Sequence, residues 1–189
     1  MIQPTERVVM HSYPGMVAIV TARWRGQQNV MAAGWHSFIS IEPPIYGVAV
    51  AEERFTHRLI RGAGAFGVHF MPAERSEWIQ QVGVTSGRQL DKFAAFGIDY
   101  QDGVTVDVPI MKAAYVAYEC RLIDVQRYGD HDWFVGAITR FYRDDELFLE
   151  NGLPDLDRLQ IPLYLGRSRY AVLDARVQQK RHFLTGHDA

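Results

Sequence analysis

Four short segments of the sequence carry side chains and backbone groups that could bind a phosphate and a flat organic ring. They are, in chain order, 29–37 (NVMAAGWHS), 53–57 (ERFTH), 86–93 (SGRQLDKF) and 129–132 (GDHD). Hydroxyls, cations and the free N–H groups of a helix N-terminus are common phosphate donors in proteins. Small residues let a flat ligand approach a strand closely. The four segments are therefore predicted to form one binding site.

The first segment is predicted to be a strand that binds the ring. The second is predicted to be the start of a helix that binds the phosphate. The small residues 32–34 (AAG) would let a planar ligand lie against the strand, and Ser37 adds a hydroxyl. The alternative is a closely packed barrel strand. A helix starting near Thr56 would offer unpaired N–H groups to an anion, with Arg54 as a charged partner. The alternative there is a capped helix with a solvated arginine.

The third and fourth segments each supply one ionisable side chain. Ser86 and Gln89 have the spacing of a capping box, which predicts a helix that begins at Ser86 and carries Lys92 about two turns in. Lys92 would face an anion, or else it is a surface lysine. His131 begins a strand after a tight turn and could face the ligand, although such a histidine often only packs or lies at the surface.

Other catalytic sites find little support in the sequence. The seven histidines include no pair at the spacing of a helical zinc motif, and there is no CxxC, so no metal site is predicted. There is no G-x-S-x-G motif of a serine hydrolase. The single cysteine, Cys120, cannot form an intramolecular disulfide and is predicted to be a buried apolar residue.

The segment 62–67 (GAGAFG) matches the G-x-G-x-x-G pattern of dinucleotide-binding proteins. That motif requires a strand before the glycines and a helix after them, because the pyrophosphate lies on the N-terminus of that helix. Here a helical segment precedes the glycines and an extended one follows. The motif is therefore predicted to end a helix and lead into a strand.

Composition and charge are typical of a globular protein and disfavour nucleic-acid and membrane partners. The chain has 189 residues, 48% hydrophobic and 22% charged, and a net charge of -2, which suits one globular domain over 1–189 and disfavours a nucleic-acid partner. No apolar run reaches the roughly 20 residues of a membrane span. The N-terminus has no signal-peptide pattern. A cytoplasmic location and no membrane partner are therefore expected.

The elements that must position the four segments are mostly strands. Strands are predicted at 16–22, 29–40, 45–51, 114–123, 131–141, 163–166 and 170–173, with short helices from about Thr56, over 73–82 and from Ser86 to Gly97. In the strand 114–123, alternation places Cys120 on the buried face and Glu119 on the opposite face. Because helices do not follow each strand, the pattern favours a mainly β antiparallel barrel with short helices attached. The tail after about 175 is expected to be peripheral.

Four stretches in this order resemble the flavin reductase-like family, which includes the flavoredoxins. They are NVMAAGWHSFISIEPPIYGVAVAEERFTH, SGRQLDKFAAFG, YECRLIDVQRYGDHDWFVGAI and PLYLGRSRY, and they span about Met16 to Leu173. The resemblance implies an FMN-binding split β-barrel of antiparallel Greek-key type. It also implies a homodimer with one FMN per subunit near the interface.

The resemblance also implies roles for individual residues. His131 would lie near the flavin ring or the nicotinamide site. The residues implied to bind the cofactor are Ala32, Ala33, Gly34, Trp35, Ser37, Arg54, Thr56, Ser86, Gly87, Lys92, Tyr164 and Tyr170. We expect Ser37, Arg54 and Lys92 to share one cavity.

The function implied first is an NAD(P)H-dependent flavin reductase. It would pass reduced flavin to an oxygenase, or electrons to a redox partner. The cofactors carry the hydride chemistry, so no side-chain acid or base is required. The alternatives are a flavoredoxin-type FMN electron carrier without a nicotinamide site, and a non-catalytic barrel that binds flavin or haem.

Overall fold

Strands dominate the part of the chain that the computed structural model describes, which comprises residues 1–6, 8 and 14–182. The strands are β1 (Ala18–Trp24), β2 (Gln27–Ala33), β3 (His36–Ser40), β4 (Ile45–Ala51), β5 (Ala65–Phe70), β6 (Tyr100–Asp102), β7 (Pro109–Met111), β8 (Val116–Tyr128), β9 (His131–Arg143), β10 (Ile161–Gly166) and β11 (Arg169–Leu173). The helices are α1 (Phe55–Ala63), α2 (Ser76–Val84) and α3 (Lys92–Ala95), with 3-10 turns at Ala73–Arg75 and Asp145–Leu147.

Seven strands form one antiparallel sheet in the order β2-β1-β5-β8-β9-β4-β3. The two edge strands, β2 and β3, are consecutive in the chain and are separated only by Gly34 and Trp35. The sheet must therefore curl until its edges approach each other at these two residues. The Ala49 N–H also donates to the Trp35 carbonyl oxygen at 2.9 Å. This arrangement confirms the predicted antiparallel barrel with short helices attached.

The barrel interior is filled from both the sheet and α1. Phe66, Phe134 and Cys120 are fully buried inside the sheet, and α1 contributes Leu59 and Ile60. Burying an aliphatic or aromatic side chain of this size contributes about 1.5–3 kcal/mol to stability. Cys120 is the buried residue that the sequence predicts, and burial raises the pKa of its thiol.

A second apolar cluster fixes α2 and α3 to the outside of β1 and β2. Ile79 and Val82 of α2 and Phe93 of α3 pack against Ile19 and Val30. The cluster places the C-terminal end of α2 and the start of α3 beside β2, where the candidate site lies. Two further sheets, β6–β7 and β10–β11, cover other parts of the barrel.

The structure corrects two boundary predictions and adds two strands that the sequence did not predict. The predicted strand 29–40 is two strands, because the chain crosses from one sheet edge to the other after Ala33. No helix begins at Ser86: the helix begins at Lys92, and the Asp91 side chain caps it by accepting from the Phe93 and Ala94 N–H groups. The short strands β6 and β7 are too brief for a period-two pattern to reveal.

The prediction that Glu119 lies on the face of β8 opposite the buried one needs a correction, because this face is also covered. Although its position alternates with buried Cys120, Glu119 is 0% exposed. Its carboxylate accepts from the backbone N–H groups of Val104, Thr105 and Val106, which lie between β6 and β7. The segment between β6 and β7 therefore covers this face of the barrel and satisfies the buried charge with hydrogen bonds.

The structure confirms the reading of the segment 62–67 as a helix end. Helix α1 precedes it, and strand β5 follows. Gly64 ends the helix in the left-handed conformation with φ 65°, and its N–H donates to the Ile60 carbonyl. A Cβ at Gly62 would overlap the Trp24 ring. These glycines therefore serve packing and helix termination.

No helix in residues 1–6, 8 and 14–182 has both the length and the apolar character required to cross a bilayer.

Candidate cofactor-binding site

A cavity of about 620 Å³ lies where β2 and β3 separate. Its walls come from β2, the first turn of α1, the end of α2, the segment 85–89, the start of β9 and the β10–β11 hairpin. Its volume falls within the usual range for cofactor and small-molecule sites. Twelve of the thirteen predicted site residues line it: Ala32, Ala33, Gly34, Trp35, Arg54, Thr56, Ser86, Gly87, Lys92, His131, Tyr164 and Tyr170.

Ser37 is the predicted residue that does not line the cavity. It lies on β3 beyond the crossing at Gly34 and Trp35, pairs with Gly47 of β4 and is exposed. Its hydroxyl donates to the Phe38 carbonyl at 2.8 Å. The expectation that Ser37 shares a cavity with Arg54 and Lys92 is therefore wrong, while Arg54 and Lys92 do share one.

The end of β2 presents a strip of backbone with small side chains. Ala32, Ala33 and Gly34 follow one another along the cavity wall. A Cβ at Gly34 would meet no heavy atom within 4 Å, so packing does not explain the glycine. The space beside Gly34 is open to the cavity. A planar ligand can lie against this strip without steric conflict.

The first turn of α1 offers donors to an anion. Arg54 occupies the N-cap position without a side-chain cap, and the first turn has no acidic residue. Because the N-terminus of a helix leaves its first N–H groups without intrahelical partners, Phe55 and Thr56 present free donors. The Arg54 side chain is 57% exposed and lies 3.8 Å from Glu53. This loose pairing leaves the guanidinium able to turn to a ligand.

Lys92 is a second cation of the same cavity, and it is buried. It is 3% exposed, and its ammonium donates to the carbonyl oxygens of Val30 at 3.0 Å and Val82 at 2.7 Å. An ammonium has three donors, so one remains after these two bonds. Burial and the nearby Arg54 guanidinium lower the pKa of Lys92 to about 8. Lys92 and Arg54 are neighbouring cations, and the ammonium of Lys92 is bonded to backbone carbonyls and to no carboxylate of the described residues. This arrangement indicates a site for an anion.

The segment 85–89 closes the cavity near these cations. The Ser86 hydroxyl oxygen accepts from the Arg88 N–H at 3.3 Å, and the Ser86 carbonyl accepts from the Gln89 N–H at 3.0 Å. These bonds form a tight turn instead of the predicted capping box. The turn places Ser86 and Gly87 in the cavity wall.

Trp35 and His131 form one rim of the cavity. Their ring centroids are 4.7 Å apart, and Trp35 is 46% exposed. His131 Nδ1 lies 2.8 Å from the Asp130 carboxylate, which fixes the ring and directs Nε2 away from Asp130. The rim therefore presents an aromatic surface and an imidazole edge to a ligand that enters the cavity.

Two tyrosines of the β10–β11 hairpin line the wall near α2. The rings of Tyr164 and Tyr170 are 5.2 Å apart, and the Tyr170 hydroxyl donates to Gln80 of α2 at 3.3 Å. The backbone of Tyr164 also exchanges hydrogen bonds with Gly15. These contacts hold the hairpin in place as a wall of the cavity.

The polar residues of the cavity that sequence reasoning did not name as site residues include Asn29 and Gln80. Asn29 is 3% exposed, and its side-chain nitrogen donates to Thr56 Oγ1 at 2.8 Å. The signal that could have found Asn29 is its position directly before the apolar run 30–33, because an amide buried there needs hydrogen-bond partners. No such signal exists for Gln80, which is one of several polar residues on α2.

The described histidine, cysteine and acidic residues nowhere gather into a group of three or more that could hold a metal ion. Two of the seven histidines, His11 and His187, lie outside the described residues.

Residues 10–174 match the model of the family described as flavin reductase like domain. An uncharacterized protein of Aeropyrum pernix is 32% identical over 169 residues, which are 89% of this chain but only 62% of that protein. The crystal structure of an FMN-binding protein from Thermus thermophilus with bound 1-cyclohex-2-enone has 33% identity and a TM-score of 0.82, and the match covers 95% of this chain and 98% of that one. Flavoredoxin of Desulfovibrio vulgaris (Miyazaki F) has 25% identity and a TM-score of 0.82 over 94% and 97% of the two chains.

Proposed function

The chain belongs to the flavin reductase like domain family, and from this membership we propose that it is an FMN-binding oxidoreductase that oxidises NAD(P)H and reduces flavin. The proposal names FMN as the bound cofactor and the reduced nicotinamide nucleotide as the substrate. Reduced flavin, or electrons from it, would then pass to an oxygenase or another redox partner.

One observation carries the proposal: a single cavity has an anion-binding end and a ring-binding wall. Arg54, Lys92 and the free N–H groups of α1 form the anion-binding end, and the strip 32–34 forms the wall. A phosphorylated planar cofactor needs both features in one cavity. The fit of FMN is therefore supported by the donors and by the open space beside Gly34.

The side chains of this protein would hold and orient the reactants. Arg54 and Thr56 would bind the phosphate, and Lys92 would face it or a carbonyl edge of the ring. Bound FMN supplies the hydride-accepting centre, so the chain itself needs no acid or base for that transfer. Trp35 and His131 at the rim would position the nicotinamide against the exposed ring face. Their contribution is proximity and the exclusion of water.

The second candidate is an FMN electron carrier without a nicotinamide site. The structural similarity to a flavoredoxin favours it, since the match covers nearly all of both chains. The two candidates share the cofactor and differ only in the source of electrons. A third candidate is a non-catalytic barrel that binds flavin or haem. It would accept electrons neither from a nicotinamide nucleotide nor from a redox partner.

Anaerobic mixing separates these candidates. Purified protein loaded with FMN is mixed with NADH or NADPH, and the flavin absorbance near its visible maximum is followed. The proposed reductase loses this absorbance within seconds. Bleaching by dithionite but by neither nucleotide would exclude the reductase and favour the carrier. A protein that does not bind FMN at all would overturn both.

We also propose that the protein works as a homodimer through an exposed aromatic face. Phe38 and Phe141 are each more than half exposed, and each lies 5.6 Å from the ring of Tyr118. Contiguous exposed apolar surface of this kind is typical of a protein interface. In sedimentation velocity, Phe38→Glu should shift a dimer to monomer, while Leu149→Glu, at another exposed apolar residue, should not. A wild-type monomer would contradict the proposal.

A further inference from the structure

Asn29 is a neutral residue beside the anion-binding end of the cavity. It is the third residue of β2 and is buried, and its side-chain nitrogen donates to Thr56 Oγ1 at 2.8 Å. Thr56 is the second residue of α1 and is fully buried. The hydrogen bond therefore joins the strand that forms the ring-binding wall to the helix turn that offers donors to an anion.

The direction of this hydrogen bond determines what the Thr56 hydroxyl can do. An amide nitrogen is only a donor, so the Thr56 oxygen accepts and its own hydrogen must be donated elsewhere. Among the described residues, none accepts a hydrogen bond from the Thr56 hydroxyl. Thr56 is one of the residues that line the cavity, so a ligand bound there is the acceptor that remains. Without Asn29, the hydroxyl would be free to rotate.

The segment 85–89 holds the Asn29 side chain in this orientation. Gly87 lies so close that a Cβ at this position would overlap the Asn29 carboxamide and come within 2.9 Å of the Phe55 ring. The contact leaves the carboxamide little room to turn away from Thr56. Glycine at position 87 is thus explained by packing against Asn29, in addition to any contact of its backbone with the ligand.

We propose that Asn29 is a positioning residue that directs the Thr56 hydroxyl hydrogen to the phosphate of the bound flavin. This inference rests on the proposed function, since it assumes that the anion at this end of the cavity is the FMN phosphate. It predicts that Asn29 contributes to binding of the phosphorylated ligand and not to binding of the ring. The role of Asn29 passes entirely through Thr56.

The test compares FMN with riboflavin, which has the same ring and no phosphate. Dissociation constants for both are measured by quenching of flavin fluorescence in the wild type, Asn29→Ala, Thr56→Val and the double variant. Asn29→Ala should weaken FMN binding about tenfold, as expected for loss of one hydrogen bond to a charged group, and change riboflavin binding less than twofold. In the Thr56→Val background, Asn29→Ala should cause no further loss of FMN affinity.

Gln28→Ala provides the matched control. Gln28 is the neighbouring carboxamide on β2, but it bonds to Arg23 and Tyr100 and does not line the cavity. Its substitution should leave both affinities unchanged. If Asn29→Ala fails to fold, Asn29→Ser replaces it, with the same expected loss for FMN alone.

The outcomes distinguish failure of the inference from failure of the proposed function. Equal losses for FMN and riboflavin, or an undiminished effect of Asn29→Ala in the Thr56→Val background, would show a structural role and overturn the inference. Unchanged FMN affinity in Asn29→Ala would do the same. A wild-type protein that binds neither flavin would instead overturn the proposed function.

Discussion

Lys92 is a cation that is buried in the protein and also lines the candidate cavity. Its two hydrogen bonds to the carbonyls of Val30 and Val82 compensate part of the cost of removing the charge from water. The same bonds join β2 to the end of α2, so the charge has a fixed position. Arg54, in contrast, is more than half exposed and can adapt to the ligand.

Arg54→Ala should weaken FMN binding by about 1–3 kcal/mol, because it removes one charge-assisted hydrogen bond to the phosphate. Titration of the apoprotein with FMN measures the change. Arg25→Ala is the control, since it removes the same charge from a residue that lies over Trp24 and away from this cavity. Equal effects of the two substitutions would mean that only net charge matters and would exclude Arg54 from the site.

The pH dependence of FMN binding should report the charge of Lys92. Burial and Arg54 lower its pKa to about 8, so the ammonium is mostly charged at pH 7 and mostly neutral at pH 9. A phosphate is already a dianion over this range. The charged fraction of Lys92 falls about tenfold over this range, so FMN affinity should fall by up to about tenfold between pH 7 and pH 9.

The Lys92→Met variant, which keeps an unbranched side chain without the charge, should bind FMN more weakly and lose this pH dependence. Fluorescence titrations at several pH values provide the comparison. A wild-type profile that is flat from pH 7 to pH 9 would show that Lys92 does not face the bound anion.

Helix α1 is the element that joins the core to the site. Its buried face, with Leu59 and Ile60, packs inside the barrel, while its first turn faces the cavity. The His57 ring donates to the Asp132 carboxylate at 2.8 Å, and this bond lowers the pKa of Asp132. Thr56 and His131 are the chain neighbours of these two residues. The bond therefore fixes the first turn of α1 relative to the rim formed by Trp35 and His131.

Gly62→Ala tests the packing explanation for the GAGAFG segment. A Cβ at position 62 would overlap the Trp24 ring, and overpacking of this kind costs about 1–3 kcal/mol. Urea unfolding should show that loss of stability, whereas FMN affinity of the folded protein should not change. Retained stability with weaker nucleotide binding would favour a dinucleotide-binding role for the glycines.

At the scale of the whole molecule, sheet closure creates the site. Consecutive strands β2 and β3 lie at opposite edges of a seven-stranded sheet, and the chain crosses between them at Gly34 and Trp35. The cavity occupies this crossing. Residues from distant parts of the chain reach it because the barrel brings the sheet edges together.

Stability in acid should depend on Glu119. Burial alone would raise the pKa of its carboxyl, but hydrogen bonds from Thr105, Tyr142 and the backbone between β6 and β7 lower it to about 2. The unfolded chain has an ordinary glutamate pKa of about 4.3. The ionised group therefore stabilises the fold above pH 4.3, and this contribution is lost as the pH falls towards 2.

Glu119→Gln should lower the free energy of unfolding at pH 7 by about 2–3 kcal/mol, because its amide cannot accept all these hydrogen bonds. It should also flatten the decline in stability below pH 4.3. Chemical denaturation at pH 7, 4 and 3 measures both effects, and Glu150→Gln, at an exposed position, is the control. Equal acid sensitivity of Glu119→Gln and the wild type would contradict the assignment.

Local sequence patterns predict most of the fold but only part of the site. Alternation identifies the long strands, and the glycines of the segment 62–67 identify the end of α1. The burial of Glu119 depends on a segment that reaches it from outside the strand, and no local pattern records that contact. Ser37 was misplaced for a related reason: the strand crossing after Ala33 separates it from the small residues that precede it.

The most direct test of the account is a crystal structure of the protein with FMN. We expect the phosphate within about 3 Å of donors on Arg54 and Thr56, the usual hydrogen-bond distance. The ring should lie against 32–34, with its exposed face towards Trp35 and His131. FMN bound outside this cavity, or with its phosphate at the Trp35–His131 rim, would contradict the central claim.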